Sequence, residues 1–326
     1  MSMLPYKLLD WIDQDKLDWS NLSSNLHAIQ LLEKNPEKIN WSILSDNSNA
    51  MHLLEKNLDK VYWFMLSRNP EAMHLLKKNP DKIIWRQLER NPNPEVIPLL
   101  EQHPDKIHWD WLSLNPGAIS LLEKNQDKID WGNLSENTNA IHLLEEIIKT
   151  NPDKIDWKYL SENINAIHLL EKNPDKIDWK TLSYNTSAIH LLEKNKDKIN
   201  WANLCSNSNA LQISGFEEKL DEMNWENSSL GLLPWMDFHI EDVVRMKYGL
   251  NQNPNMMNIL KKHPERIDYR YLSENPSIFE LDYDAMKETK HALHEELIRT
   301  MNHPKYLPKF KGWGFESGYD SESDNE

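Results

Sequence analysis

The sequence contains one cysteine, eight glycines and no uninterrupted apolar run of the length that crosses a bilayer. The single cysteine, Cys205, excludes an intramolecular disulfide framework and is typical of a reducing compartment. A transmembrane helix needs about 20 consecutive apolar residues, so we expect no membrane association. Residues 1–16 have no basic start and no long apolar core, which argues against a signal peptide. We therefore expect an intracellular, soluble protein.

Basic residues are in deficit, because 37 Lys and Arg stand against 52 Asp and Glu, which gives a formal net charge of −15. Nucleic-acid-binding proteins contact phosphates through clustered Lys and Arg, so we do not expect nucleic acid to be the main partner. The sequence also has no glycine-rich phosphate loop, no G-x-S-x-G motif and no coherent acid–base pair. We predict that the protein is not an enzyme, and we assign no catalytic residue, no cofactor and no metal ligand.

Tryptophan is abundant, with 14 copies, and most of them recur at steps of 22 residues, lengthened in places to 24 or 26. The series continues to Trp225, and Tyr269 lies 44 residues further on, which indicates two more, degenerate repeats. Self-similarity at a fixed period of this length is typical of a repeat array. The tryptophans that mark the regular repeats are Trp19, Trp41, Trp63, Trp85, Trp109, Trp131, Trp157, Trp179 and Trp201.

Each repeat reads approximately I-D-W-x-x-L-S-x-N-x-x-A-I-x-L-L-E-K-N-P-D-K, and its apolar residues have helical spacing. In the repeat that begins at Trp157, Asp156 is placed to cap a first helix and Asn163 to cap a second. Asn173 followed by Pro174 is typical of a helix end. The pattern predicts two short helices in each repeat.

Helices of about two turns are unstable alone in water, so neighbouring repeats must cover their apolar faces. We therefore predict an all-α fold, an α-solenoid of roughly ten to twelve tandem two-short-helix repeats. Each tryptophan is expected to fill the gap between one repeat and the next. A leucine-rich-repeat-like solenoid is the alternative, because it has a similar period. The serine of W-x-x-L-S, however, breaks the L-x-L alternation that its strand requires.

The pattern divides the chain into five parts. They are 1–18 (an N-terminal half-repeat or cap), 19–211 (regular tandem repeats), 212–283 (degenerate repeats), 284–311 (a C-terminal helical cap) and 312–326 (a disordered acidic tail). The half-repeat is recognised by DKLDW, which matches the DKIDW of the regular repeats. Caps are expected because the terminal repeats of an array otherwise expose an apolar face.

The repeats resemble the tandem short-repeat proteins that giant DNA viruses encode in multiple copies. The resemblance lies in NPEAMHLLKKNPDKIIW (69–85) and NINAIHLLEKNPDKIDW (163–179). It covers residues 15–210 well and residues 250–283 weakly. It implies α-helical repeats of this length, no assigned catalytic motif and no general function to carry over. A viral protein of this kind would be located in the host cytoplasm or in the virion.

Histidine recurs at one position of the second helix, at His52, His74, His142, His168 and His190. Equivalent side chains of stacked repeats lie about 10 Å apart, which is too far for one tetrahedral metal site. We interpret the column as a polar ladder that could serve in recognition. Lysine, represented by Lys176, and glutamate, represented by Glu171, form further columns, and we expect opposite charges to pair across repeats.

We predict a non-enzymatic scaffold that binds a host or viral protein along the repeat surface, since stacked repeats offer a large elongated area. The candidate recognition residues are the histidine column together with Lys158, Lys180 and Pro98, where the repeats vary. Two other classes stay open. A structural, virion-associated protein would self-assemble through its end repeats, and a nucleic-acid-binding helical repeat would bind in a salt-dependent way.

Overall fold

A computed structural model describes residues 4–222 and 240–288, without the side chains of residues 240–243. The chain divides into two compact parts, one formed by residues 8–279 and the other by residues 1–7 with 280–326. Most of the predicted C-terminal cap and all of the predicted acidic tail lie outside the described residues. The repeats belong to the first part.

Each repeat begins with a short helix, helix A, whose first residue is the tryptophan or its equivalent. We number the described repeats 1 to 11 in chain order, from Trp19 in repeat 1 to Tyr269 in repeat 11. Helix A spans Trp19–Leu22, Trp41–Leu44, Trp63–Leu66, Trp85–Leu88, Trp109–Ser113, Trp131–Leu134, Trp157–Glu162, Trp179–Leu182, Trp201–Leu204 and Tyr269–Leu272, and the longer helix Ile240–Gln252 takes this place in repeat 10. The second helix, helix B, spans Ile29–Glu33, Met51–Lys56, Met73–Lys78, Val96–Glu101, Ile119–Glu123, Ile141–Thr150, Ile167–Lys172, Ile189–Lys194 and Met257–Lys262. The two short helices expected in each repeat are thus present in most of the array.

Short 3₁₀ turns flank helix B, and in repeat 11, which has no helix B, they occupy the equivalent positions. Those before it span Ser48–Ala50, Pro70–Ala72, Pro116–Ala118, Thr186–Ala188, Ala210–Gln212, Pro254–Met256 and Pro276–Ile278. Those after it span Gln14–Lys16, Pro36–Lys38, Pro80–Lys82, Pro104–Lys106, Gln126–Lys128, Pro152–Lys154, Pro174–Lys176, Lys196–Lys198 and Pro264–Arg266. Repeat 9 ends in the helix Phe216–Glu222, and strands β1 (Tyr6–Leu8) and β2 (Phe279–Leu281) pair with each other. Between residues 19 and 222 the regular elements are all helical.

Local sequence signals mark where helix A begins and where helix B ends. The Asp156 carboxylate accepts a backbone N–H of helix A at 3.0 Å, and its backbone is extended, as an N-cap residue requires. The Asn163 side chain accepts the N–H of Asn165 at 3.0 Å at the turn before helix B. Asn173 ends helix B immediately before Pro174. The prediction that Asp156 caps helix A is confirmed. Asn163 caps the turn before helix B and not helix B itself, which begins after Ala166 without a side-chain cap.

A column of leucines, three residues after the tryptophan position, forms the centre of the core. Every one of them is 0 % exposed: Leu22, Leu44, Leu66, Leu88, Leu112, Leu134, Leu160, Leu182, Leu204, Leu250 and Leu272. Burying one leucine side chain contributes about 1.5–3 kcal/mol. Because a single repeat cannot bury its leucine alone, this column favours stacking of the repeats.

A ladder of buried asparagines joins each repeat to the one before it. The Asn163 side-chain amide donates to the carbonyl oxygens of Ser135 at 3.0 Å and Asn137 at 3.1 Å in the preceding repeat. Eleven asparagines donate in this way: Asn25, Asn47, Asn69, Asn91, Asn115, Asn137, Asn163, Asn185, Asn207, Asn253 and Asn275. Since buried carbonyl groups need hydrogen-bond partners, the ladder sets the register of every neighbouring pair.

The asparagine ladder also joins the two ends of the array, because repeat 1 is hydrogen-bonded to repeat 11. The Asn25 amide donates to the carbonyl oxygens of Ser273 at 3.0 Å and Asn275 at 2.9 Å. The backbone N–H of Asp18 donates to Ser273 Oγ at 2.8 Å, as the equivalent Asp178 N–H donates to Ser161 Oγ at 3.0 Å. The described repeats between residues 8 and 279 therefore form a closed ring of eleven, a closure that the sequence analysis did not foresee.

Repeat 11 is assembled from two distant segments of the chain. Its helix A begins at Tyr269, but strand β2 follows where other repeats have helix B. The segment Gln14–Lys16 supplies the turn that ends the repeat, and the Lys16 ammonium lies 5.6 Å from the centre of the Tyr269 ring. The same arrangement occurs in repeat 1, where Lys38 lies 4.2 Å from the ring centre of Trp19. The N-terminal half-repeat thus completes the last repeat.

Repeat 10 bonds directly to repeat 9, although 46 residues separate their ladder asparagines. The Asn253 amide donates to the carbonyl oxygens of Cys205 at 3.0 Å and Asn207 at 2.9 Å. The spacing of the tryptophans predicts a degenerate repeat that begins at Trp225, between repeats 9 and 10. The asparagine ladder instead joins repeat 9 directly to repeat 10. Trp225 itself lies outside the described residues.

Candidate functional site

Histidine–glutamate pairs form a column along helix B. Each histidine Nε2 lies 2.6–2.9 Å from a glutamate Oε1 of the preceding repeat, in the pairs His52–Glu33, His74–Glu55, His142–Glu123, His168–Glu145 and His190–Glu171. The hydrogen bond from His168 holds the pKa of Glu145 below its usual range. The side chains of these pairs are half-exposed, so each pair adds little stability, and the column is a polar surface open to solvent.

The lysine column, which lies after helix B at the end of each repeat, does not pair with these glutamates, contrary to the charge pairing that we expected. The lysine ammonium groups lie 4.2–5.6 Å from indole ring centres in the pairs Lys38–Trp19, Lys60–Trp41, Lys82–Trp63, Lys128–Trp109, Lys154–Trp131 and Lys198–Trp179. A cation over an indole is attracted by the negative face of the ring. The tryptophans are half-buried, so each of these lysines covers the exposed part of the indole of its own repeat.

The histidine column is interrupted at Pro98, beside a small cavity. Lys77 takes the place of the glutamate in repeat 3, and its Nζ pairs with Glu95 Oε2 at 2.6 Å. The cavity has a volume of about 250 Å³ and is lined by residues of repeats 3 and 4, including Trp85 and His103, whose ring centres are 4.9 Å apart. The other two candidate recognition residues, Lys158 and Lys180, are exposed on helix A and not on helix B.

Three successive repeats lack the side chain that caps helix A in seven of the other described repeats. The residue before the tryptophan position accepts a backbone N–H of helix A at Asp18, Asn40, Asp130, Asp156, Asp178, Asn200 and Asp268. In repeats 3, 4 and 5 this residue is Tyr62, Ile84 or His108, and none of these side chains makes the bond. Losing such a cap costs about 0.5–2 kcal/mol. These repeats are therefore less stable at this end of helix A.

Two of the residues that replace the caps are exposed and apolar. Tyr62 is 47 % exposed and Ile84 is 38 % exposed. Phe64, which follows the tryptophan of repeat 3, is 40 % exposed, and its ring stacks on Tyr62 with 5.8 Å between ring centres. Tyr62 and Ile84 occupy the same position of neighbouring repeats, so the apolar side chains form a patch and are not scattered.

Two arginines of repeat 4 and a tryptophan of repeat 5 continue this edge. Arg86 occupies the position of Phe64, and it lies 4.0 Å from Asp110, which occupies that position in repeat 5. The guanidinium carbons of Arg86 and Arg90 lie 4.7 and 5.1 Å from the ring centre of Trp111. We call this set the aromatic–arginine surface and define it as Tyr62, Phe64, Ile84, Arg86, Arg90 and Trp111.

Repeat 4 also carries a buried carboxylate where most repeats have serine. In repeat 3, Ser67 donates to a helix A carbonyl at 2.7 Å and accepts the N–H of Ile84 at 3.0 Å. Glu89 accepts the N–H of His108 at 2.5 Å through Oε1, but its Oε2 is buried without a hydrogen-bond partner. Glu89 is 0 % exposed, and burial raises the pKa of its carboxyl group despite the hydrogen bonds from His108.

We expect Glu89→Ser to stabilise the protein, by about 1–3 kcal/mol near neutral pH, because it removes a buried oxygen that lacks a partner. A raised pKa means that the folded state holds the proton more tightly than the unfolded state. The contribution of Glu89 to wild-type stability therefore falls as pH rises from the ordinary glutamate pKa, about 4.3, through the raised folded pKa. Urea unfolding at pH 4 and pH 7 should show a gain for Glu89→Ser that is larger at pH 7. An equal gain at both pH values would contradict this account.

The lone thiol takes no part in these surfaces. Cys205 is fully buried, and burial raises the pKa of its thiol to about 12, so the reactive thiolate is not populated near neutral pH. Across residues 4–222 and 240–288, no group of three His, Cys, Asp or Glu side chains is arranged to hold a metal ion. Over the same residues, no helix has the length and apolarity to cross a membrane.

Comparison with known proteins gives no match. No family model, no characterised protein and no solved structure matches it. The aromatic–arginine surface was missed in the sequence analysis, yet the sequence contains its signal. Aspartate or asparagine precedes the tryptophan in most repeats but not at Trp63, Trp85 and Trp109, and between residues 19 and 211 arginine occurs only at positions 68, 86 and 90.

Proposed function

We propose that the protein is a non-enzymatic, protein-binding α-solenoid that recognises its partner through the aromatic–arginine surface. The observation that supports this most strongly is the replacement of three successive helix caps by Tyr62, Ile84 and His108. Exposed tyrosine and phenylalanine beside arginine is the composition of energetically dominant interface residues. A stability loss confined to one surface is expected where a function uses that surface.

Ring closure supports binding along an edge of the array. Repeats 1 and 11 cover each other through Asn25 and Ser273, so neither of them presents a free stacking face. Self-assembly through end repeats would require the ring to open first. The giant-virus origin, with a location in the host cytoplasm or the virion, stays a prediction of the resemblance.

The double variant Tyr62→Asp/Ile84→Asp should be more stable than the wild type and should lose its partner. Each aspartate restores the cap found in other repeats, which adds about 0.5–1 kcal/mol, and each removes an exposed apolar side chain. Stability is measured by urea unfolding. Binding is measured as the protein recovered from a lysate of the source cells by immobilised full-length chain.

The control is Ile164→Asp, which removes a 45 % exposed apolar side chain from repeat 7 and should leave the captured proteins unchanged. Capture of the same proteins by the wild type and the double variant would contradict the proposal. Recovery of nucleic acid alone, or of further copies of the chain alone, would favour the two other classes instead.

A further inference from the structure

We infer that the partner of the aromatic–arginine surface is an acidic protein segment with aromatic or apolar side chains, whose carboxylates are bound by Arg86 and Arg90. This inference rests on the proposed function and names the chemistry of the partner. Its basis is that this surface differs from the rest of the regular repeats in two ways. Its basic residues are arginines and not lysines, and among the described residues they have no close ion-pair partner.

Arginine is confined to this region of the regular repeats, and its placement differs from that of the lysines. Between residues 19 and 211 the chain uses lysine at every basic position except Arg68, Arg86 and Arg90. Arg68 is held by a two-pronged contact with Asp46. Arg86 and Arg90 instead lie against the indole of Trp111. A guanidinium group on an aromatic ring is restrained by it and keeps N–H donors in a fork that matches a carboxylate.

The two arginines have charge available for a partner. Arg86 has a carboxylate neighbour only at 4.0 Å, in Asp110, and both side chains are about half-exposed, so water screens that pair. Among residues 4–222 and 240–288, no carboxylate lies within ion-pairing distance of Arg90. In a chain of net charge −15, two neighbouring exposed arginines, of which only Arg86 has a weak, screened ion pair, attract acidic groups that the remaining surface repels.

The apolar half of the surface determines the class of the partner. Ile84 and the stacked Tyr62–Phe64 pair lie on the same helix A edge as the arginines and are exposed. They suit apolar or aromatic side chains that accompany the carboxylates. A nucleic-acid strand would need phosphate contacts along many repeats, whereas Arg86 and Arg90 both lie in repeat 4. We therefore favour a protein segment over a nucleic acid.

The test is fluorescence anisotropy of labelled probes with the full-length chain. The main probe is a 12-residue peptide of alternating Glu and Tyr, and the controls are a Lys–Tyr peptide, a Glu–Ser peptide and a 20-nucleotide oligo-dT. We expect the Glu–Tyr peptide to bind most tightly. The double variant Arg86→Gln/Arg90→Gln should raise its Kd about tenfold or more, because charge-assisted forked hydrogen bonds are lost. Arg86→Lys/Arg90→Lys should also weaken binding, since lysine lacks the fork.

The matched control is Lys172→Gln/Lys194→Gln, which removes two exposed positive charges from helix B of repeats 7 and 8 and should leave the Kd unchanged. An equal Kd for the arginine variants, or tighter binding of oligo-dT or of the Lys–Tyr peptide, would overturn the inference. If no probe binds while Tyr62→Asp/Ile84→Asp still abolishes protein capture, the acidic chemistry is wrong and the proposed function stands. If that variant captures the wild-type set of proteins, the proposed function fails as well.

Discussion

Asn163→Ala is expected to lower the free energy of unfolding by about 3–5 kcal/mol, because it breaks two buried hydrogen bonds and a partly buried one at once. Two are donated by the Asn163 amide to the carbonyls of Ser135 and Asn137, and the third is accepted from the N–H of Asn165. Alanine replaces none of them and leaves buried backbone groups without partners. The measurement is the urea midpoint and slope of the full-length chain.

The matched control lies in the same repeat. The Asn165 side chain also donates across to the preceding repeat, to Thr138 O at 2.9 Å, but at an exposed position where water can take its place. Asn165→Ala should therefore cost less than about 1 kcal/mol. Equal losses for the two variants would show that burial does not distinguish the two positions and that the ladder is not what joins the repeats.

Asn25→Ala should cost as much as Asn163→Ala, about 3–5 kcal/mol, although Asn25 lies in the first repeat along the chain. Asn25 is 1 % exposed and donates to Ser273 and Asn275 of repeat 11. In an open array repeat 1 has no preceding repeat, so the Asn25 amide would face water and its removal would cost less than about 1 kcal/mol. The two unfolding curves therefore distinguish a closed ring from an open array.

The regular part of the fold could be predicted because its determinants are local. The spacing of Trp157, Leu160 and Leu170 indicates helices, and Asp156 marks where the first of them begins. Closure could not be predicted in this way, because it depends on the small rotation between successive repeats, summed over the whole array. The sequence contains a hint in its two incomplete ends, DKLDW without a preceding helix A and YRYLSENP without a following LLEKNPDK.

The candidate site was not predicted, because the sequence analysis concentrated on residues that recur at the same position in each repeat. His168 and its equivalents recur, and the structure pairs them with glutamates such as Glu145. The lysine column has the charge to pair with the same glutamates, but its ammonium groups lie over indoles, as Lys82 lies over Trp63. The order of residues in the sequence does not reveal this contact. The surface that we propose for binding consists of departures from the repeat, at Tyr62 and Ile84. Their meaning depends on knowing that the usual residue there is a helix cap.

Closure of the ring is the central claim, since it removes free end repeats and leaves the edges for recognition. The most direct test is the distance between spin labels at Ser24→Cys and Arg270→Cys, both exposed, in a Cys205→Ser background. The carbonyl of Arg270 accepts the Asn21 amide at 2.9 Å, so the two labels sit on neighbouring repeats. We predict one short distance, on the order of 10–25 Å including the label arms. A distribution centred far beyond that, towards the roughly 100 Å of eleven repeats stacked in a line at about 10 Å each, would contradict the closed ring.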